Sequence, residues 1–353
     1  MTSINALRFD EYSGACIFDE ERGWNDEGLK PRTVEKMKEV TPPGIVDETG
    51  LVAVYGNTGT STIGDELRYS IRKRIVAAYE KAKSLAGGKP ETFLTVDEVG
   101  ALAFEVITEL KHTHIDQEML GRYGFKTADF IQGRFEAEGK KAEIKDKDLV
   151  NKLHEMITWK ARSKEGYSVF LNSGIIAGYE PGEGFRICNL SMIEHLVEPV
   201  QQFFQADGSG RDMANVVFSD FCNACRARDR RGRIDRVEGI MAMIAALNTA
   251  GRHDIGVGGY WNIICFDGRR KKHADKMWMI NDHRAKLASE IVEAETHGLI
   301  PRDKAYGLIE NLVFEGASFH EVEDGFLSAA ADATSLVRFL RGFCAPDARK
   351  FCR

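Results

Sequence analysis

The stretch TSINALRFDEYSGACIF, residues 2–18, decides the fold prediction because it has the pattern of a β-hairpin. Residues 3–9 are strand-like, residues 10–14 contain the Asp, Ser and Gly typical of turns, and residues 15–18 form a second apolar run. The pattern predicts that a sheet begins almost at the first residue, with Thr2 at the start of its first strand.

The rest of the chain alternates paired strands with paired helices. Further strands are expected at residues 51–55, 169–177, 185–190 and 260–266, the middle two joined by the turn EPGEG. Helices are expected at about residues 65–85, 95–110, 211–227 and 234–248. Such pairing differs from the regular alternation of a doubly wound parallel sheet. It predicts an α+β fold, a four-layer αββα sandwich in which two sheets pack face to face between helix pairs.

Two regions lie outside this pattern. Residues 111–165 are charged, rich in Lys and Glu and weakly periodic, which indicates a partly helical insertion on the surface. Residues 269–353 have a mostly helical pattern. We therefore expect a core of residues 1–268, which includes the insertion, followed by a helical C-terminal extension.

The composition excludes several classes of partner. The 353 residues are 43% hydrophobic, and the net charge of −6 supplies no basic field for nucleic acid. No apolar run approaches the roughly 20 residues of a membrane helix, and the N-terminus lacks the pattern of a signal peptide. The seven cysteines are an odd number spread along the chain, which favours reduced thiols and a cytoplasmic location.

Three short motifs do not predict a cofactor. The glycine-rich segment at residues 56–64 precedes a helix, but it lacks the Lys-Ser/Thr pair of a phosphate-binding loop. Cys222 and Cys225 lack a second pair at zinc-site spacing, which favours buried thiols on one helix face. His112 and His114 point to different sides of a helix, which favours a solvated surface. No metal or organic cofactor is expected.

Three segments of the second half are similar to segments of one family. Residues 254–259 (DIGVGG) precede a strand, residues 207–210 (DGSG) precede a helix, and residues 175–181 (IIAGYEP) approach a hairpin turn. They resemble, respectively, the Asp-x-x-Ser-Gly-Gly segment, the Gly-Ser-Gly segment and the apolar-Ala-Gly-Tyr-Asp turn of proteasome β-subunits. The resemblance implies a proteasome-type N-terminal-nucleophile hydrolase.

The first half agrees with this resemblance. If Met1 is the initiator and is removed, Thr2 becomes the N-terminal residue from which the family's first strand begins. In the family an acidic residue stands six positions after the turn glycine, and Glu20 stands six after Gly14. An arginine follows two positions later in the family, and Arg22 stands there in this sequence.

Two further positions complete the pattern in the first half. Lys36 stands fourteen residues after Arg22, where the family has its lysine. Gly56 occupies the place of the family's oxyanion glycine, at the end of the strand before the first helix. Asp19 adjoins Glu20, so the acidic role falls on either residue.

The sequence also departs from ordinary β-subunits. Val257 stands where the family has a serine before its paired glycines, and the first turn is two residues longer. The insertion and the C-terminal extension are not ordinary proteasome features. The sequence is therefore more similar to the bacterial proteasome-like Anbu group than to a standard β-subunit.

The implied chemistry begins at Thr2. A threonine hydroxyl is a weak nucleophile until a base takes its proton, and a free α-amino group, with a pKa of about 8, can be that base. Lys36 would favour the neutral amine and stabilise developing negative charge, and Glu20 (or Asp19) would hold the lysine by an ion pair. The Gly56 N–H would donate to the oxyanion. Ser209 and Asp254 would hold the amino group.

The resemblance implies a self-assembling threonine hydrolase, a homo-oligomer in a ring or spiral, that cleaves peptide or other amide bonds. Two alternatives are open: a catalytically silent proteasome-like scaffold, and an amidase or transferase of the same type that acts on a small molecule. N-terminal sequencing separates them, because a retained Met1 favours the scaffold.

Overall fold

The computed structural model describes residues 2–20, 35–90, 93–137, 140–158, 172–192, 194, 196–229, 233–254 and 256–342. Met1, Arg22 and the first part of the strand expected at 169–177 lie outside the described residues, as do the ends of the predicted insertion and extension.

Within the described residues the chain forms short strands and longer helices. The strands are β1 (Ser3–Arg8), β2 (Ser13–Asp19), β3 (Met37–Glu39), β4 (Val52–Thr58), β5 (Arg134–Ala137), β6 (Lys140–Glu143), β7 (Ser173–Glu180), β8 (Gly184–Ser191), β9 (Leu196–Pro199), β10 (Phe204–Gly208), β11 (Trp261–Asp267) and β12 (Met277–Ile280). The helices are α1 (Pro43–Thr49), α2 (Ser61–Ala86), α3 (Val96–Tyr123), α4 (Thr127–Gln132), α5 (Lys147–Thr158), α6 (Arg211–Arg228), α7 (Arg236–His253), α8 (His273–Lys276), α9 (Asp282–Thr296), α10 (Arg302–Val313), α11 (Phe319–Ala329) and α12 (Ala333–Arg341).

These strands form two larger antiparallel sheets and one small ribbon. Sheet A has the order β10-β1-β2-β11-β12, sheet B has the order β3-β4-β7-β8-β9, and β5 pairs with β6. The predicted N-terminal hairpin is confirmed, because β1 and β2 pair with Ile4 opposite Phe18. The second hairpin is confirmed by the pairing of β7 with β8.

Alternate residues of the central strands face different parts of the core. Ile4 and Phe18 of sheet A share one buried cluster with Val54 and Ile175 of sheet B. The opposite face of sheet B packs against α2 and α3, and the opposite face of sheet A packs against α6, α7 and α9. This alternation, with a period of two, is why both β1 and β2 are almost fully buried.

Two elements extend further than the sequence pattern predicts. Helix α3 begins with a capping box at Thr95 and continues past residue 110 to Tyr123, and its buried Ile115 and Met119 pack in the cluster over sheet B. Strand β4 does not end at Gly56 but continues to Thr58, paired with β7 throughout. The expected strand end at Gly56 is therefore wrong, and the glycine lies inside the sheet.

Residues on both sides of Gly268 share one sheet and one core. Strand β12 pairs with β11, so sheet A includes residues after position 268. The largest buried cluster contains Ile263 of β11 together with Ile291, Phe326 and Leu336 of the later helices. The C-terminal helices therefore pack on sheet A and α7, and Phe339 of α12 is one large apolar side chain there that remains half exposed.

Candidate functional site

Thr2 lies at the start of β1, where β10 and α6 meet. Its backbone N–H donates to Ser209 Oγ at 3.3 Å, and the Ser209 hydroxyl donates to the Thr2 carbonyl oxygen at 3.5 Å. Gly208 pairs with Ser3 and has a φ of 95°, and a Cβ there would overlap the Thr2 carbonyl oxygen. Glycine is therefore needed at position 208 for Ser209 to approach Thr2 this closely.

An ion pair lies beside the same end of β1. Lys36 Nζ lies 2.6 Å from Asp19 Oδ1, and the two side chains are 6% and 0% exposed. The same oxygen accepts from the Ser3 N–H at 2.8 Å, so the ammonium group lies next to the Thr2–Ser3 peptide. Burial raises the pKa of Asp19, and Lys36 with the Ser3 and Gly258 N–H groups opposes this rise.

The two acids left open by the sequence have different partners. Asp19 makes the ion pair with Lys36, and its second oxygen accepts from the Gly258 N–H at 3.3 Å. Glu20 is also buried, but it accepts from Asn262 Nδ2 at 2.6 Å on the other face of sheet A. The geometry gives the acidic partner of the lysine as Asp19, one residue before the position of the predicted acid.

Gly56 lies deeper in the molecule than Thr2. A Cβ on Gly56 would come within 3.1 Å of Ile4 Cδ1, so this glycine is level with Ile4. The Asn57 N–H donates to the Lys36 carbonyl oxygen, on the β3 side of β4. Neighbouring residues of a strand form their backbone hydrogen bonds on opposite sides. The Gly56 N–H therefore points toward Ile175 of β7.

The end of β4 is level with Thr2. A Cβ on Gly208 would come within 3.2 Å of Thr58 Cγ2, and Gly208 adjoins Thr2. Gly59 follows with a φ of 105°, a conformation that favours glycine, and α2 begins at Ser61. This turn directly follows Thr58 and is therefore nearer to Thr2 than Gly56 is.

Asp254 ends α7 close to the segment that contains Ser209. Its Oδ1 accepts from the Gly256 N–H at 2.9 Å, while its buried Oδ2 has no hydrogen-bond partner among the described residues. Val257, where the family has serine, is buried, and its Cγ2 would be 3.0 Å from a Cβ on Gly210. Unlike the family's serine, this apolar side chain offers no hydrogen bond to the segment.

A second buried carboxylate, which the sequence patterns do not predict, lies on the Ser209 side of Thr2. Asp207 Oδ1 accepts from Ser173 Oγ at 2.9 Å and from the Gly208 N–H at 2.7 Å. Asp207 Oδ2 accepts from Thr58 Oγ1 at 3.2 Å. Burial raises the pKa of Asp207, and these hydrogen bonds oppose the rise. Asp207 belongs to β10, so recognising that strand from the sequence would have placed this side chain between the sheets.

The motifs set aside in the sequence have ordinary structural surroundings. Cys222 and Cys225 are both buried in the cluster under α6, which confirms the prediction for this pair. His114 bonds to Glu66 of α2 at 2.9 Å.

In the part of the chain that the structure describes, there is no group of three or more His, Cys, Asp or Glu residues able to hold a metal ion. None of the described helices is long and apolar enough to span a membrane.

No protein-family model matches the sequence, and no curated protein matches it either. Structural similarity is clear: the chain has a proteasome-like fold. It is similar to the Anbu (Gly-1) mutant from Hyphomicrobium sp. strain MC1, with a TM-score of 0.51, over 84% of this chain and 96% of that one. Sequence identity between the two is 11%.

Two further Anbu structures are similar with lower scores. Anbu (ancestral beta-subunit) from Yersinia bercovieri has a TM-score of 0.48 and 10% identity, and covers 84% of this chain and 94% of that one. A second structure of Anbu from Hyphomicrobium sp. strain MC1 has a TM-score of 0.49 and 12% identity, with coverage of 84% and 96%. The similarity to the Anbu (Gly-1) mutant confirms, at the level of the fold, the resemblance to Anbu that the sequence motifs indicated.

Proposed function

We propose that this protein is a threonine hydrolase that cleaves peptide or other amide bonds after removal of Met1 exposes the Thr2 amine. The observation that supports this most directly is the convergence at Thr2 of Ser209, bonded to its backbone, and of the Lys36–Asp19 ion pair. The similar fold of the Anbu (Gly-1) mutant adds to this support.

In the proposed reaction, Thr2 Oγ attacks the carbonyl carbon of the scissile amide and its proton passes to the Thr2 amine. The C–N bond breaks, the leaving amine takes that proton, and water then hydrolyses the resulting ester. Lys36 stabilises the negative charge near Thr2, and Asp19 fixes the lysine. Ser209 holds the Thr2 backbone, and Asp254 supports the segment behind it. Glu20 is bonded to Asn262 of β11, so in this scheme it positions the end of β2 next to Asp19.

The oxyanion donor has two candidates. Gly56 is the glycine that the family motif indicates, but its N–H points along the sheet toward Ile175. Gly59 lies nearer to Thr2, in the turn that leads into α2. We therefore propose the Gly59 N–H as the donor, with Gly56 as the alternative that the motif spacing favours.

The remaining parts of the proposal concern architecture and assembly. The cluster shared by the two sheets and the helices on their outer faces fit a four-layer αββα arrangement. The likeness to Anbu favours self-association into a ring or spiral, and a cytoplasmic location fits the reduced cysteines. Light scattering of the purified full-length protein tests the assembly, and a monomer would contradict it.

One observation favours the second candidate function, a catalytically silent scaffold. Val257 replaces the serine of the family motif, and Asp254 Oδ2 is buried without a partner in the described residues. A site that no longer holds the Thr2 amine would tolerate this change. The scaffold predicts a retained Met1 and no hydrolysis.

The experiment combines the intact mass of the purified protein with hydrolysis of a fluorogenic peptide library. We expect the mass without Met1, activity in the wild type, residual activity in Thr2→Ser and none in Thr2→Ala. Thr49→Ala, at the end of α1, is the matched control and should remain active. Full activity in Thr2→Ala would place the site elsewhere, and a retained Met1 without hydrolysis would favour the scaffold.

A further inference from the structure

A cavity of ≈ 600 Å³ lies on the Ser209 side of Thr2. It is bounded by β8, β10 and the first turns of α6, and its wall includes Ser173 and Asp207. Asp207 precedes Ser209 by two residues, and two residues of extended chain span about 7 Å. A substrate held at Thr2 therefore reaches this cavity with a segment of about two residues.

Carboxamide side chains are the most frequent polar group in the wall. They are Asn189, Gln202, Gln205 and Asn215. Gln205 Nε2 donates to Asn189 Oδ1 at 3.2 Å, so β10 and β8 present two of these amides together. A carboxamide offers both donors and acceptors, the same pair that a peptide bond or another carboxamide needs.

Three charged side chains line the cavity, namely Asp207, Arg211 and Glu194, and Glu194 is exposed to solvent. The Asp207 carboxylate already accepts three hydrogen bonds, from Ser173, Thr58 and the Gly208 N–H. The Arg211 guanidinium lies 3.5 Å from Asp212, and this pair is exposed to solvent. The Asp207 and Arg211 charges are partnered and the exposed Glu194 is solvated, so we assign the selectivity to the carboxamides of the wall.

We propose that this cavity is a substrate subsite for uncharged polar segments of a peptide, with Ser, Asn or Gln side chains. The inference rests on the proposed peptide hydrolysis and adds a substrate preference to it. A polar segment replaces the water on the carboxamides with equivalent hydrogen bonds, whereas an apolar segment displaces the water and leaves them unpaired. Polar segments are selected for this reason.

Binding is measured with the full-length Thr2→Ala protein, so that no peptide is consumed. Two fluorescein-labelled peptides, Gly-Ser-Asn-Gln-Ser-Gly and Gly-Ala-Leu-Leu-Ala-Gly, are titrated by fluorescence anisotropy. We expect the polar peptide to bind about tenfold more tightly, the order expected for one unmade hydrogen bond. Equal affinity, or tighter binding of the apolar peptide, overturns the proposal.

Matched variants assign the preference to the cavity. Asn215→Trp fills the space from α6, while Val216→Trp adds the same bulk to an exposed neighbour outside the wall. Gln202→Leu and Gln201→Leu form a second pair, because both positions are exposed and only Gln202 lines the cavity. The preference should disappear in Asn215→Trp and Gln202→Leu and persist in both controls. Equal loss in a variant and its control overturns the proposal.

The test separates this inference from the proposed hydrolysis. Hydrolysis of the polar peptide by the wild type is measured in parallel. Active wild type with no polar preference contradicts the subsite alone. A polar preference that depends on Asn215, in a protein that hydrolyses nothing, contradicts the hydrolase and leaves the cavity as a peptide-binding site.

Discussion

Two buried carboxylates, Asp19 and Asp207, lie on either side of Thr2, and they are held in different ways. Asp19 pairs with the Lys36 ammonium at 2.6 Å and accepts from two backbone N–H groups. Asp207 accepts from two hydroxyls and one N–H and has no cation at hydrogen-bonding distance among the described residues. One corner of the site therefore contains a buried ion pair, and the other contains a carboxylate held by uncharged hydrogen-bond donors.

This difference separates electrostatic from geometric contributions to the site. A lysine that is buried beside Thr2 supplies positive charge where an oxyanion would form. The network around Asp207 supplies no net positive charge, but it joins β10 of sheet A to β4 and β7 of sheet B. We infer that the Asp19 corner tunes reactivity and that the Asp207 corner fixes the position of Ser209.

The largest expected effect comes from breaking the ion pair. Lys36→Met leaves Asp19 buried without its cation, and removing one partner of a buried pair costs about 3–5 kcal/mol in the free energy of unfolding. The measurement is urea denaturation at neutral pH. We also expect loss of hydrolysis, because the charge beside Thr2 is gone.

Two further variants test whether the lost ion pair causes the lower free energy of unfolding. Lys36→Met with Asp19→Asn removes both charges and should recover part of the lost stability. Lys38→Met, on β3, is the matched control and should change stability by less than about 1 kcal/mol. A single Lys36→Met variant as stable as wild type would show that the ion pair does not hold this corner together.

The contrast also shows what sequence patterns can predict in this chain. Strands β1, β2, β4, β7, β8 and β11 follow from largely apolar stretches of four or more residues with turn residues beside them. Strands β3, β9 and β10 have only three to five residues of mixed polarity, and β12 is an apolar stretch of only four residues, so tertiary pairing decides their conformation. Asp207 lies on β10, so no local sequence pattern indicated that its side chain points between the two sheets.

The candidate site shows the same limit. Motif spacing identified Thr2, Lys36 and Ser209, which the structure brings to one end of sheet A. Spacing does not determine how far a strand continues, so it placed the strand end at Gly56 instead of Thr58. It also left Asp19 and Glu20 equivalent, although neighbours on a strand face opposite sides of the sheet.

A smaller effect is expected at the Asp207 corner, where the free energy of unfolding should depend on pH. Burial raises the pKa of Asp207, so the folded protein keeps this proton to a higher pH than the unfolded chain, whose Asp has a pKa of about 4. The folded state therefore loses stability relative to the unfolded state as pH rises through that window. Asp207→Asn removes this dependence.

The measurement is the free energy of unfolding of wild type and Asp207→Asn between pH 4 and neutrality, the lower limit set by the ordinary carboxyl pKa of about 4. Wild type should lose stability relative to the variant as pH rises. Asp212→Asn, exposed on α6, is the control and should parallel the wild type. A constant difference between wild type and Asp207→Asn would contradict the prediction.

The smallest expected effect comes from removing one hydroxyl of the same network. Thr58 Oγ1 lies 2.7 Å from Ser173 Oγ and 3.2 Å from Asp207 Oδ2, and valine has nearly the same shape without the hydroxyl. Thr58→Val should lower the free energy of unfolding by about 1 kcal/mol, because Ser173 retains its bond to Asp207. If this corner fixes Ser209, hydrolysis should fall more than stability does, whereas Thr41→Val, which removes a buried hydroxyl that has no hydrogen-bond partner among the described residues, should lower neither by a comparable amount. Unchanged hydrolysis in a Thr58→Val protein that is destabilised as expected would limit the Asp207 corner to folding and leave Lys36–Asp19 as the corner that acts on Thr2.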